Sequence, residues 1–474
     1  MRCLIWLWVF AASWGGLSPA QAQTLPASIR QALQKAQLPE TALHVYVAPV
    51  QVGQAPLLAH QASVPANPAS TAKLVTTFAA LDLLGPAHVW TTLLATDGTL
   101  QPNGLLQGNL YIKGQGDPKM VTERLWLLLQ QVQSAGVRQI QGDLVLDRSA
   151  FADTGVDPAA FDGEPLKPYN AVASALLVNY QSQLFRFVPD ENQSVAHVSL
   201  QPPLAGVNVP AQVPLRPNTS ASACADWRGQ LQADFSNPLG PVFLGSYPTG
   251  CGERWWPIAH SQPDRFALRA VEGMWRHMGG VLQGQVRWGQ VPAQHTPRGV
   301  FESPPLAEVV RDVNKFSNNV MAQHVFLALA QQRFPNQPAH PNAAREALLA
   351  WWQQRMGPQV APPQLDNGSG LSRDARISAQ SLGAMLQVAY ASPVMPELVA
   401  SLPVNGRDGT LRRRSTSAAA HLKTGSLRDV QAIAGYVHAP SGERKVLVAI
   451  VNHPNAGAAR PVLDALVEWA AAQP

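Results

Sequence analysis

At 474 residues the chain is too long for one ordinary core, and two or three domains are the expectation. A hydrophobic fraction of 46%, a charged fraction of 14% and 13 Trp exclude an intrinsically disordered chain. The net charge of +5 is small for this length, and the single dense basic run, Arg412-Arg413-Arg414, reads as a local feature, so there is no case for a nucleic-acid partner.

In chain order, Arg2 precedes the apolar stretch "CLIWLWVFAA", which is too short for a permanent bilayer span, and "AQA" at 20–22 offers a small-x-small cleavage site. Residues 1–22 read as a secretory signal peptide cleaved near Ala22–Gln23, so the mature chain is expected to be exported and to lack a transmembrane anchor. Cys3 leaves with the signal. Cys224 and Cys251 remain, and in an exported chain they permit one disulfide, with two free buried thiols as the alternative.

Residues 29–38 read as a helix and "ALHVYVAPV" as a strand. In "PASTAKLVTT" and the residues after it, apolar positions at Leu74, Val75, Phe78, Leu81 and Leu84 predict a helix over 71–84, stopped by Gly85-Pro86. Ser70 then sits at the helix N-terminus with Lys73 one turn on. This is either a surface capping serine beside a lysine or a nucleophile beside its base.

"GNLYIKGQGDP" reads as a strand and turn; its "GQGDP" lacks the full glycine pattern of a nucleotide loop. A helix–Gly–strand unit, "TERLWLLLQQVQSAG" then "IQGDLVLDRS", recurs as "FALRAVEGMWRHMGG" then "VLQGQVRWG", which predicts a pseudo-repeat within one α/β insert. Residues 183–250, rich in Pro, Val and turn residues, predict a small nested β module.

Helix–strand texture resumes after about residue 300. "NKFSNNVMAQHVF" holds Ser317 and Asn319 in an S-x-N pattern, where the plain reading is a helix-capping serine. "LDNGSGLSR" is a Gly/Ser-rich turn in which Ser369 and Arg373 read as structural and rim residues. "HLKTGSLRDVQAIAGYV" places Lys423, Thr424 and Gly425 on a strand, with His421 on the face of Lys423. Residues 432–437 and 445–451 predict a hairpin across "APSGE", and a final helix spans 461–472. The 12 His show no metal-binding spacing, and nothing calls for a metal or cofactor.

S-x-x-K, S-x-N and K-T-G in this order resemble the active-site motifs of β-lactamases and penicillin-binding proteins. Together with "GDLVLDRS", "PYNAVASALLVN", "DNGSGLSR" and "LPVNGRDGTLRRR", they give nearly the whole mature chain a resemblance to the low-molecular-mass class C penicillin-binding proteins. These are D-alanyl-D-alanine carboxypeptidases/endopeptidases of the peptidase S13 type. The gap from Ser70 to Ser317 spans 247 residues (317 − 70), far longer than in a class A β-lactamase.

The resemblance implies an α/β (α+β) catalytic domain of the penicillin-recognising serine transpeptidase/β-lactamase-like fold. It should have a five-stranded antiparallel sheet with helices on both faces, from residues 23–88 and 297–474. Two domains would be inserted between S-x-x-K and S-x-N, an α/β one from 89–182 and 251–296 and the β-rich one at 183–250. It also implies an exported, periplasmic peptidase acting on peptidoglycan stem peptides, with β-lactams as covalent inhibitors.

In that reading Ser70 attacks the carbonyl between two D-Ala residues and Lys73 is its base, with a pKa depressed by desolvation and by Lys423. Ser317 relays the proton to the leaving amine. Asn319 binds the substrate backbone and holds Lys73. Lys423 and Thr424 take the terminal carboxylate, Gly425 lets a substrate strand lie close, and the N–H groups of Ser70 and Ser426 form the oxyanion hole. Asn367 stands where many relatives have Asp, with Asp366 one place earlier. A β-lactamase of the same fold and a non-catalytic cell-wall scaffold are the rival readings.

Overall fold

The computed structural model describes residues 24–217, 220–414 and 416–474. The expected signal peptide at 1–22 and its cleavage site lie outside the described residues.

One antiparallel sheet organises the first and last parts of the chain. Its strands are β1 (Leu43–Pro49), β2 (Leu58–His60), β3 (Ala419–Leu427), β4 (Val430–His438) and β5 (Arg444–Asn452), in the order β2-β1-β5-β4-β3. The central strands read as almost unbroken apolar runs because both faces are covered. Val45, Val47, Leu447 and Ala449 enter one core, while Tyr46, Ala48, Val446 and Val448 enter the other.

The first core is closed by helices α1 (Ala27–Lys35) and α6 (Arg460–Ala472). The second holds α2 (Lys73–Leu84), α3 (Leu306–Phe316), α4 (Asn319–Arg333) and α5 (Ala379–Tyr390). α2 is buried at every position from Lys73 to Leu81, so it is a buried helix rather than an amphipathic surface one. The predicted hairpin forms, with Ala432 opposite Ile450 and Val437 opposite Lys445.

Between Leu84 and α3 the chain leaves this core. A second five-stranded sheet runs Val286–Trp288, Leu144–Asp147, Leu110–Gly114, Thr91–Thr96, Thr296–Glu302. The helix–Gly–strand units lie side by side: Val286–Trp288 pairs in parallel with Leu144–Asp147 in this sheet, and Val281–Leu282 with Gln139–Ile140 in a neighbouring four-stranded sheet. Each expected strand is split at a glycine. A Cβ on Gly142 would lie 2.6 Å from the Gly108 carbonyl oxygen, and one on Gly284 2.3 Å from that of Gly142, so the backbones touch there.

A further five-stranded sheet packs Phe185, Phe187, Trp227 and Tyr247 into its own core. Its last strand, Arg254–Ala259, pairs with Ser182–Asp190, so the expected edge at residue 250 falls inside this sheet. The strand Thr296–Glu302 likewise pairs with Thr91–Thr96 across the expected border at 296/297.

Cys224 and Cys251 form a disulfide across a separation of 27 residues. The closed loop limits the unfolded chain, so replacing both cysteines with serine is expected to destabilise this module by about 3–4 kcal/mol. Hydrogen exchange at Phe185–Phe187 should accelerate in the double variant; unchanged protection there would refute the assignment.

Candidate active site

The turn before α2 is held from three sides. Asn67 accepts the Ala69 N–H through Oδ1 at 2.9 Å and donates from Nδ2 to the Ser372 carbonyl at 3.0 Å. The Pro68 carbonyl accepts the Thr71 hydroxyl at 2.7 Å. Ala69 has φ of +45°, a region an L-residue enters only when its surroundings impose it.

Two glycines let neighbouring segments press against this turn. A Cβ on Gly370 would lie 1.9 Å from the Ala69 carbonyl oxygen, and one on Gly425 2.7 Å from that of Pro68. Gly425 therefore admits the Pro68–Ser70 backbone on its open face, a different neighbour from the substrate strand expected there. The first helical turn, Ala69–Ala72, is 3-10 and contains Ser70; the α-helix begins only at Lys73.

Lys73 is fully buried, and its Nζ lies 2.9 Å from Ser70 Oγ, 2.6 Å from Asn319 Oδ1 and 2.5 Å from the Ser369 carbonyl oxygen. The two carbonyl oxygens can only accept. A neutral amine has two N–H groups to give them and one lone pair left for the serine hydroxyl. Burial, followed by the charge of Lys423, holds the Lys73 amine well below the ordinary lysine range. The Asn319 amide is oriented by its other end, which donates to the Tyr169 carbonyl at 3.2 Å.

Ser317 is not the helix N-cap that the plain reading of S-x-N makes it. It ends α3 in the left-handed region, with φ 57° and ψ 38°, and Asn318 caps α4 by accepting the Met321 N–H at 3.1 Å. The αL turn places the Ser317 hydroxyl 2.8 Å from Lys423 Nζ, which also donates to the Thr424 carbonyl at 2.7 Å. Lys423 is fully buried as well, and burial pushes its amine down to about 7. The Thr424 hydroxyl meets that of Thr410 at 2.7 Å, and Ser426 Oγ accepts from Gln431 at 2.6 Å.

β3 is an edge strand. The Leu422 N–H donates to the Pro403 carbonyl outside the sheet, and by the two-residue period those of Thr424 and Ser426 face the same open edge.

Ser70, Ser317, Asn319 and Ser426 line one cavity of about 680 Å³, with Tyr169 and Arg373 on its wall. Lys73 and Lys423 stand behind it, Thr424 turns toward Thr410, and Gly425 supports the turn. Thus every expected site residue converges on this region. A cavity of about 710 Å³ beside Trp126 contains no such serine–lysine pair, so chemistry rather than volume singles out the site.

The sequence reading missed the Ser369 carbonyl, Asn67, Tyr169 and Thr410. Only "DNGSGLSR", with its paired glycines, offered a signal of close backbone approach. Asn367 closes that loop by accepting from the Ser369 N–H at 3.0 Å and Oγ at 2.9 Å, and neither it nor Asp366 lines the cavity. His421 lies against the Val399 carbonyl at 3.2 Å and does not line the cavity.

Compared with known proteins, residues 25–473 match the D-Ala-D-Ala carboxypeptidase 3 (S13) family. The chain belongs to this family. It is a serine-type D-Ala-D-Ala carboxypeptidase of the S13 kind. A D-alanyl-D-alanine carboxypeptidase of Actinomadura sp. (strain R39) is 30% identical over 418 residues, 83% of this chain and 74% of the relative. The D-alanyl-D-alanine carboxypeptidase DacB of Haemophilus influenzae is 26% identical over 405 residues, 81% of this chain and 80% of the relative.

The crystal structure of penicillin binding protein 4 (dacB) from Haemophilus influenzae shares the fold, with TM-score 0.73 and 24% identity over 93% of this chain and 98% of that one. The same protein complexed with a novel β-lactam gives TM-score 0.69 at 23% identity, covering 94% and 98%. The S13 enzyme thus has the penicillin-recognising serine hydrolase fold with its insertions.

The electrostatics of the two lysines are directly measurable. With ¹³Cε-labelled lysine, Lys423 is expected to titrate near 7 and Lys73 far below the remaining lysines. Lys423→Gln should move the Lys73 midpoint upward, because it removes a positive charge. A Lys73 midpoint in the ordinary range near ~10.4 would refute the neutral-amine geometry.

Proposed function

We propose that this S13 enzyme is an exported, periplasmic peptidase that removes terminal D-Ala from peptidoglycan stem peptides, cuts D-Ala cross-links, and is acylated by penicillin at Ser70. The observation that carries the reading is the fully buried Lys73 Nζ, 2.9 Å from Ser70 Oγ and within hydrogen-bond distance of two carbonyl oxygens, with no carboxylate among these partners.

Lys73 takes the Ser70 proton as Oγ attacks the carbonyl of the penultimate D-Ala. The oxyanion is held by the N–H groups of Ser70 and Ser426. Lys423 and Thr424 bind the carboxylate of the leaving residue, and the substrate carboxylate favours the charged form of Lys423. Ser317, 2.8 Å from Lys423, relays to the leaving amine the proton that Lys73 took from Ser70, which returns Lys73 to its neutral form. As the C–N bond breaks, the acyl group stays on Ser70, and water then hydrolyses the ester with Lys73 again as base. Asn319 orients Lys73 and offers its amide to the substrate backbone. A β-lactam follows the same first step, but its leaving amine stays tethered and blocks the water.

Support for export comes from the apolar N-terminus, and among the described residues no helix is long and apolar enough to cross a membrane. Support for the substrate comes from the family and from the names of the relatives from Actinomadura and Haemophilus.

Fluorescent penicillin should label the mature protein in a denaturing gel and leave Ser70→Ala unlabelled, with D-Ala release from a stem pentapeptide lower by on the order of 10⁴-fold or more in the variant. No label together with disappearance of penicillin would identify a β-lactamase, and no reaction at all would leave a scaffold.

The pH profile gives a second check. The basic form of Lys73 is required, and its pKa is depressed, so the acidic limb of kcat/KM lies far below the ordinary lysine range. Free Lys423 loses its charge as pH rises through about 7, which produces an alkaline limb. Lys423→Arg keeps the charge and should move that limb to higher pH; an unmoved limb would remove Lys423 from the carboxylate site.

A further inference from the structure

The edge strand β3 runs between two cavities. At one end Ser426, Leu427 and Arg428 line the cavity that holds Ser70. Two residues earlier on the same strand, the Thr424 hydroxyl is bonded at 2.7 Å to Thr410, which lines a separate cavity of about 450 Å³ with Gly409, Arg412 and Arg413. If Lys423 and Thr424 take the carboxylate next to the scissile bond, whatever extends beyond that carboxylate meets this second cavity.

Its charge is one-sided. Arg414, the third arginine of the run, is committed to Asp464 at 2.8 Å. Arg412 and Arg413 are exposed, and among the described residues neither guanidinium has a hydrogen-bond or ion-pair partner. The nearest carboxylate in sequence, Asp408, is occupied by Lys315 at 2.6 Å and accepts the Val404 N–H at 2.7 Å, so it does not neutralise them. A guanidinium presents a forked donor matched to a carboxylate.

We propose that Arg412 and Arg413 form a leaving-group subsite for a second carboxylate, so that the enzyme favours an anionic leaving peptide over a single D-Ala. Such a leaving group is the other branch of a cross-link, which carries carboxylates beyond the one beside the scissile amine. The inference rests on the D,D-peptidase reading above and assigns these residues to substrate selection, not to the proton transfers.

The test compares two peptides that differ only in the charge of the leaving residue, acyl-D-Ala-D-Glu and acyl-D-Ala-D-Gln. The wild type should have the higher kcat/KM for D-Glu. In Arg412→Gln/Arg413→Gln the D-Glu/D-Gln ratio should fall about three- to tenfold, as for exposed charge pairs, and Arg412→Lys/Arg413→Lys should restore part of it. The wild-type ratio should also shrink with added salt. A ratio that is the same in wild type and the Gln variant overturns the subsite. Failure of the wild type to cleave either peptide, together with no penicillin label on Ser70, overturns the D,D-peptidase reading itself and the subsite with it.

Discussion

Two lysines, both fully buried and neither facing a carboxylate, set the terms for the rest of the structure. An unpaired ammonium in a protein interior costs several kcal/mol, and the way out is to give up the proton. The protein surrounds Lys73 with acceptors that suit an amine, and sets Lys423 behind the Ser317 hydroxyl. The same desolvation that penalises charge makes Lys73 a base strong enough in concentration at neutral pH to use. The groups that do this lie on α2, the 366–373 loop, α4 and β3, far apart in sequence. The apolar five-stranded sheet and its two cores are what bring them within hydrogen-bond distance.

That convergence depends on local strain held in place by tertiary contacts. Ala69 and Ser317 both take positive φ, one immediately before Ser70 and the other carrying the hydroxyl that meets Lys423. Neither conformation follows from its own residue type. Gly370 and Gly425 clamp the first by allowing backbone to touch backbone, and the Asn318 cap fixes the second. The inserted part of the chain takes part as well. Tyr169 orients Asn319 through its carbonyl, and Lys119 pairs with Asp312 of α3 at 2.6 Å, one turn before the helix ends at Ser317. The insert thus bears on the site at two points.

The side chains that do chemistry were legible because each sits in a short motif whose spacing is set by one helix turn or one strand. The β4–β5 hairpin was legible because two near-continuous apolar runs rich in β-branched residues flank the turn residues of "APSGE". The Ser369 carbonyl was not, since every residue has a carbonyl and only the fold aims this one at Lys73. The contact of Gly425 with Pro68 was hidden for a related reason: a glycine signals close approach, but this partner lies more than half the chain away. The α-helix was expected two residues too early because Asn67 and the glycine clamp hold the turn at Ser70 in a 3-10 form that propensity does not encode. The strand splits at Gly142 and Gly284 go with close backbone contacts to Gly108 and to Gly142 of the first pseudo-repeat unit, again contacts remote in sequence.

A sheet edge with unpaired N–H groups invites another strand, and most proteins cover it. Here Pro403 and Asn405 cover β3 as far as Leu422, and the cover stops where Lys423 begins. The open remainder is only a few residues long and is flanked by buried lysines, which limits wrong pairings while leaving the outward N–H groups of Thr424 and Ser426 free. The segment that closes the first half of the edge continues directly into Thr410 and the arginines beside it. Edge protection and the leaving-group end of the cleft are therefore built from one stretch of chain. Since this stretch contributes none of the groups around Lys73, its side chains can vary the preferred leaving group without disturbing the two buried amines.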